Sequence, residues 1–183
     1  MHLAMRAIET KRIRLRQFTV EDAAAVYRNY ASDPEVTRFV TWPTYTDEKM
    51  AEARMRYMMD CYARGNVADW AIELKSLGEV IGSIGVVNVQ PKADAVEVGY
   101  CIGSRWWNQG ITTEAFRAVI HYFFTEAGVN RVSAFHDTRN GASGAVMRKC
   151  GLTYEGTQRQ ASWNHSGLCD LDGYSILKED WKS

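Results

Sequence analysis

Ile13 and Leu15 alternate with Arg12, Arg14 and Arg16, the period of two that turns one face of a strand to a core and the other to water. The pattern then becomes helical. Ala23, Val26, Tyr27 and Tyr30 recur at helical spacing behind a capping Thr19, Asp22 lies in the first turn, and Asp33-Pro34 ends the run. A second helix is expected over 47–64, with Met50, Ala53, Tyr57 and Cys61 as its apolar stripe and Gly65 at the left-handed position beyond it. Three strand patterns follow over 68–75, 79–89 and 95–102, divided by Ser76-Leu77-Gly78 and by the turn at 91–94, and they read as an antiparallel meander. After a loop over 103–110, Ala115, Val119, Tyr122 and Phe123 mark a helix closed by Gly128. Residues 131–135 form a short strand, Asn140 caps a helix ending at Gly151, and 152–161 and 169–177 are the last two strands. The order β-α-α-β-β-β-α-β-α-β-β gives seven strands and about four helices. With no linker or repeat, residues 1–183 are expected to form a single α/β (α+β) domain.

Composition narrows the partners. The chain has 183 residues, 46% of them apolar, enough for one well-buried core. Lys plus Arg and Asp plus Glu number 22 each, so no overall field favours a nucleic acid or an anionic membrane surface. Cys61, Cys101, Cys150 and Cys169 are too scattered for a zinc site or a disulfide framework. With no signal-peptide pattern and no membrane-length apolar run, a soluble, cytoplasmic protein is expected.

Candidate chemistry concentrates in two segments. From Val96 to Ala115 the pattern is strand, loop, helix, and the first amides of a helix sit at its positive dipole end without intrahelical acceptors. A loop that wraps a pyrophosphate satisfies them, and Gly110 lets the backbone come close; an ordinary connection has the same pattern. The second segment reads Asn140-Gly141-Ala142-Ser143-Gly144-Ala145-Val146-Met147-Arg148-Lys149-Cys150-Gly151, with Glu155-Gly156 beyond. Asn-x-x-Ser, Val-Met-x-Lys-x-Gly and Glu-Gly in this order resemble the GNAT N-acetyltransferase superfamily, in particular its RimJ/RimL-like branch. The resemblance extends to Ile13-Arg14-Leu15-Arg16, the Glu-x-Gly-Tyr strand at 97–100, and Asp170, Tyr174, Ser175, Ile176, Leu177 and Trp181.

The resemblance implies a mixed, mostly antiparallel sheet whose fourth and fifth strands splay apart around acetyl-CoA, with no metal. Backbone groups of Tyr100, Cys101 and Ile102 would pair with the pantetheine arm. The amides of Asn108, Gln109, Gly110, Ile111, Thr112 and Thr113 would receive the pyrophosphate, and Asn140 and Ser143 would approach the thioester end. The loop keeps Gly110 but has Trp107 and Thr112 where the family usually has Gln/Arg and Gly/Ala, and Met147 stands where many members place a tyrosine acid.

Amine acetylation needs a neutral nucleophile, a stabilised oxyanion and a proton for the leaving thiolate. Glu97 is the candidate base, acting directly or through water, with a plain charge on a solvated strand face as its other reading. Ser143 is the candidate proton donor to the sulfur, with a small polar residue in a first helical turn as its other reading. Glu114 is already explained by the helix dipole. The RimJ/RimL resemblance implies a protein N-terminal amine as acceptor, of the ribosomal-protein type. Polyamines, amino acids or aminoglycosides, a non-catalytic acyl-CoA sensor, and a homodimer all stay open. His121 and His136 read as satisfied core or edge histidines. The methionines of the second helix are expected mainly in the core, and the first-strand arginines on a solvated face.

Overall fold

The computed structural model describes Leu3 and residues 5–66 and 69–182. Ile13 and Leu15 are fully buried in strand β2 (Ile13–Arg16), as their alternation requires. A preceding two-residue strand, β1 (Ile8–Glu9), pairs with it. Among the described residues the sheet therefore has eight strands and not the seven expected, because Ile8-Glu9 is too short to announce itself by periodicity. The arginines of β2 are ion-paired: Arg16 grips Asp22 through both terminal nitrogens at 2.8 Å, and its Nε lies 2.5 Å from Glu73.

The first helical region is more broken than its pattern predicts. A 3-10 turn (Val20–Asp22) leads into α1 (Ala23–Val26), which widens into a π turn (Tyr27–Ala31). Asp33-Pro34 does end this run, but Asp33 also caps a further short helix, α2 (Pro34–Thr37), by accepting from the Glu35 amide. Helix α3 (Glu48–Ala63) follows, and Gly65 takes φ 70° as expected. Its buried face is Ala51, Met55 and Met58, whereas Ala53 and Tyr57 are exposed and Met50 and Cys61 only half-buried. Apolar residues occur all round this helix, so packing against α1, not periodicity, chose the stripe.

The meander is β3 (Asp69–Leu74), β4 (Glu79–Gln90) and β5 (Ala95–Ile102); the expected start of β3 at Ala68 falls outside the described residues. After α4 (Ile111–Thr125) come β6 (Arg131–Asp137), α5 (Gly141–Lys149), β7 (Thr153–Asn164) and β8 (Gly167–Leu177). The strand order is β1-β2-β3-β4-β5-β6-β8-β7, and β5–β6 is the parallel pair. One sheet face, carrying Trp70, Ile84, Val96, Val98 and Ile102, packs against α4. The other carries Ala71 and Val80 against Val26 of α1, Tyr30 of the π turn, and Ala51 and Met55 of α3. Successive β5 side chains thus point alternately toward α4 and toward α3.

Asp137 fixes the turn from β6 into α5. Its carboxylate, 1% exposed, accepts from the Arg139 amide and guanidinium and from Asn164 Nδ2 at 2.8 Å. The Arg139 guanidinium holds this carboxyl well below the usual range. Because the folded-state value is depressed, the stabilisation is complete above about pH 4 and declines as pH falls further. Asp137→Ala is expected to cost about 2–3 kcal/mol in urea melts at pH 7 by stranding a buried Asn164 amide. The gap between wild type and Asp137→Asn should narrow at pH 3.

Candidate functional site

The parallel ladder between β5 and β6 has only three pairs, Ala95↔Arg131, Val96↔Val132 and Glu97↔Ser133. Beyond it the strands separate: β5 stays with β4 as far as Ile102↔Gly82, and β6 stays with β8 as far as Asp137↔Leu171. Residues 98–102 and 134–137 therefore face each other as two edges of a wedge inside the sheet. Ser133 Oγ donates to the Val96 carbonyl at 3.3 Å near its closed end.

At the open end the loop after β5 turns into α4. Gly110 is the N-cap residue at φ 73° and Asn108 sits at φ 60°, left-handed positions that curl the loop over the first turn. Trp107 Nε1 donates to the Ile102 carbonyl at 2.9 Å, and the Arg12 guanidinium donates to the Gln109 carbonyl at 2.8 Å. Ile111 is buried, while Thr112 and Thr113 are half-buried in the first turn, whose amides begin the helix. Glu114 is held by Arg12 Nε, the Arg12 amide and Thr10, which pull its carboxyl down against burial. Its role is to anchor α4 to β2.

α5 supplies the other wall. Asn140 Oδ1 accepts the Ser143 amide at 3.3 Å, the expected cap. Ser143 Oγ donates to the Tyr100 phenol at 3.1 Å, and that phenol donates to the Ser143 carbonyl at 3.0 Å. This pair crosses from β5 to α5, and Tyr100 also lies 5.4 Å, ring to ring, from Phe116 of α4. Burial pushes the Tyr100 phenol well above its ordinary value. The sequence reading assigned Tyr100 only a backbone role; its side chain is the phenol nearest Ser143, whereas Met147 is buried in the core. The strand motif Glu-x-Gly-Tyr was the available signal, since residues three apart on a strand face opposite ways and Tyr100 had to point toward α4.

Glu97 points the other way. It is half-buried on the last rung before the splay, opposite the irregular register between Val86 and Asn88, and burial raises its carboxyl. The same face carries Cys101, whose Sγ lies 3.5 Å from Ser83 Oγ, and burial raises the thiol to about 11. Trp42 and Tyr45 pack with ring centroids 5.5 Å apart and planes tilted by 58° in the segment after α2. This segment is tied to the tip of the β7–β8 hairpin: His165 Nε2 donates to the Trp42 carbonyl at 2.9 Å and Ser166 Oγ to the Arg38 carbonyl at 3.4 Å. The tie was not legible in the sequence, because its halves lie 123 and 128 positions apart.

Other expectations need correction. His136 is buried, but its Nε2 has no hydrogen-bond partner among the described residues, since Gly144 and an Asp172 carboxylate 4.0 Å away surround it. His121 is exposed and lies edge-on to Trp181. All four cysteines are free thiols, and among the described residues no group of three His, Cys, Asp or Glu could hold a metal ion. No described helix is long and apolar enough to cross a membrane.

A sheet opened between two parallel strands, with a helix N-terminus at the wide end and a hydroxyl pair across it, defines a class: enzymes that hold a long phosphate-bearing donor along main-chain edges. Residues 12–153 match the acetyltransferase (GNAT) domain, and the chain belongs to that family as an N-acetyltransferase. It is 32% identical to the uncharacterized N-acetyltransferase YoaA of Bacillus subtilis over 171 residues, covering 93% of this chain and 96% of the relative. The acetyltransferase (GNAT family) from Bacillus anthracis superposes with a TM-score of 0.84 at 25% identity, covering 95% of this chain and 99% of that one. The [Ribosomal protein uS5]-alanine N-acetyltransferase of Escherichia coli is 24% identical over 155 residues, 81% of this chain and 79% of the relative.

Proposed function

We propose that the chain acetylates a protein or peptide N-terminal amine, taking acetyl-CoA into the β5–β6 wedge and the amine from the Glu97 face. The observation that carries this reading is the three-rung ladder, which ends at the one half-buried carboxylate of β5. Trp42 and Tyr45 pack against the same apolar cluster as Cys101 on that face, and the Trp42–His165 tie joins their segment to the β7–β8 hairpin; an acceptor that comes in end-on, as a chain terminus does, suits an entrance bounded in this way. The family relationship to an enzyme named for a ribosomal-protein alanine supports the same acceptor class.

The residues fit the donor. Along Tyr100, Cys101 and Ile102 the main-chain groups that alternate away from β4 would pair with the pantetheine arm, and the left-handed Asn108 and Gly110 would bring the amides through Thr113 toward a pyrophosphate. Asn140 and Ser143 flank the thioester end. Glu97, raised by burial, takes a proton from the incoming ammonium, directly or through water. An α-amine titrates near pH 8, so the base has less to do than for a lysine near 10.4. Ser143 then turns its hydroxyl from Tyr100 to the departing sulfur and relays to it, through water, the second proton released by the newly bonded nitrogen, while Tyr100 keeps its bond to the Ser143 carbonyl.

Release of free CoA thiol is the test, with acetyl-CoA and short peptides beginning in Ala or Ser set against N-terminally blocked lysine peptides and small amines. Turnover is expected with free peptide termini; turnover confined to blocked peptides or small amines overturns the acceptor assignment. CoA alone should raise the melting point, because a ligand at 100 times its Kd adds about 2.7 kcal/mol to stability. No shift at saturation would overturn the wedge as the donor site.

A further inference from the structure

We infer that Asp69 forms a subsite for a basic side chain at the second residue of the acceptor peptide. The inference rests on the peptide-terminus reading above and deepens it. Asp69, Gly85 and Gly99 lie side by side across β3, β4 and β5, on the face that carries Glu97 two residues along β5. Two adjacent glycines let neighbouring side chains close over the backbone between the two carboxylates: the Asp69 carboxylate lies over Gly85 and Val87 lies over Gly99. Neither is an idle position: a Cβ on Gly85 would run into the Asp69 carboxylate and backbone, and one on Gly99 would come within 3.1 Å of Val87.

Asp69 is under-compensated. Arg54 Nη2 meets Oδ2 at 3.1 Å, and no group among the described residues bonds Oδ1, which lies over Gly85. Arg54 is itself 42% exposed and rests on the Tyr57 ring. Burial pushes the Asp69 carboxyl up more than Arg54 pulls it down. The neighbours that share its field, Tyr30, Tyr45 and Cys101, are neutral donors held in their protonated forms by burial. A carboxylate 25% exposed, with one half-exposed partner, gains from a second cation brought up to its open side.

The spacing selects the acceptor. Two strands across and two residues along put the Asp69 and Glu97 Cα atoms about 12 Å apart. In a peptide whose terminal amine lies at Glu97, the side-chain ammonium of a lysine at position two reaches about 10 Å from that amine. Once both carboxylates project from this face, the two nitrogens and the two carboxylates match. A first-residue side chain would stay at the Glu97 end.

The test uses the full-length enzyme, acetyl-CoA and two peptides that differ only at position two, Lys against Met. Wild type is expected to favour the Lys peptide about tenfold in kcat/KM. Asp69→Asn should cut turnover of the Lys peptide to the Met level and leave the Met peptide within about twofold. Equal wild-type rates for the two peptides overturn the subsite, and so does an equal loss on both in the variant, which is what a purely structural ion pair would give. If the variant does not fold, the wild-type Lys-to-Met ratio alone decides. Failure of both peptides to react, with small amines acetylated normally, would instead strike the terminal-amine reading on which the subsite rests.

Discussion

Glu97→Gln is expected to lower kcat/KM for a peptide amine about tenfold or more and to remove the acidic limb of its pH profile. The amide keeps the size and hydrogen-bonding reach of the side chain but cannot take a proton, so a loss confined to turnover would identify a base. The sign follows from the environment. Half-burial on the last paired rung disfavours the carboxylate, so its titration lies above the usual glutamate value of about 4.3. Wild-type activity should therefore fall as pH drops through that raised value, and the variant should lack this descent. The thermal shift given by CoA should stay the same in both proteins, because Glu97 faces away from the wedge walls made by Tyr100 and Ser143. A variant with wild-type rates and the wild-type acidic limb would remove Glu97 from the chemistry.

Phe116→Ala is expected to cost about 3–5 kcal/mol, the usual range for truncating a buried phenylalanine. For a chain of this size that is a fall of roughly 10 °C in Tm. Phe116 is fully buried between α4 and the sheet, with its ring 5.4 Å from Tyr100. The loss should therefore reach function as well as stability. With that wall gone, the Tyr100 phenol is no longer held against Ser143, and stabilisation by CoA should shrink. Phe116→Leu is the control, expected to lose less than half as much in urea melts because most of the volume is restored. A cost below about 1 kcal/mol for the alanine variant would show that α4 collapses onto the sheet without this ring.

Whatever depends on local pattern was legible in the sequence. The Asn140 cap, the helix-ending Gly65 and Gly128, and the strand-loop-helix from Val96 to Ala115 each express a few neighbouring residues, and the structure has them where they were expected. What depends on register or on choosing among equal faces was not. Helix α3 carries apolar side chains in every direction, so its buried stripe was assigned to Met50 and Tyr57 where packing took Met55 and Met58. The row of Asp69, Gly85 and Gly99 exists only because three strands pair in one particular alignment. In the sequence each residue is unremarked, and only the two bulges along the meander fix the offset. The Tyr100 phenol needed both the strand parity and the approach of α5, and only the first can be read from neighbours.

The wedge between β5 and β6 also divides the labour between main chain and side chain. Its edges offer peptide groups, which every residue but proline supplies alike, so amino-acid replacement along 98–102 can alter its width but cannot erase its lettering. The opposite face has no such immunity. Asp69, Tyr45, Trp42 and Val87 act through side chains, and each can be respelled by one codon change. A protein built in this way can hold its donor fixed over long drift while its choice of acceptor is revised, because the two recognitions use different alphabets on the two sides of one strand.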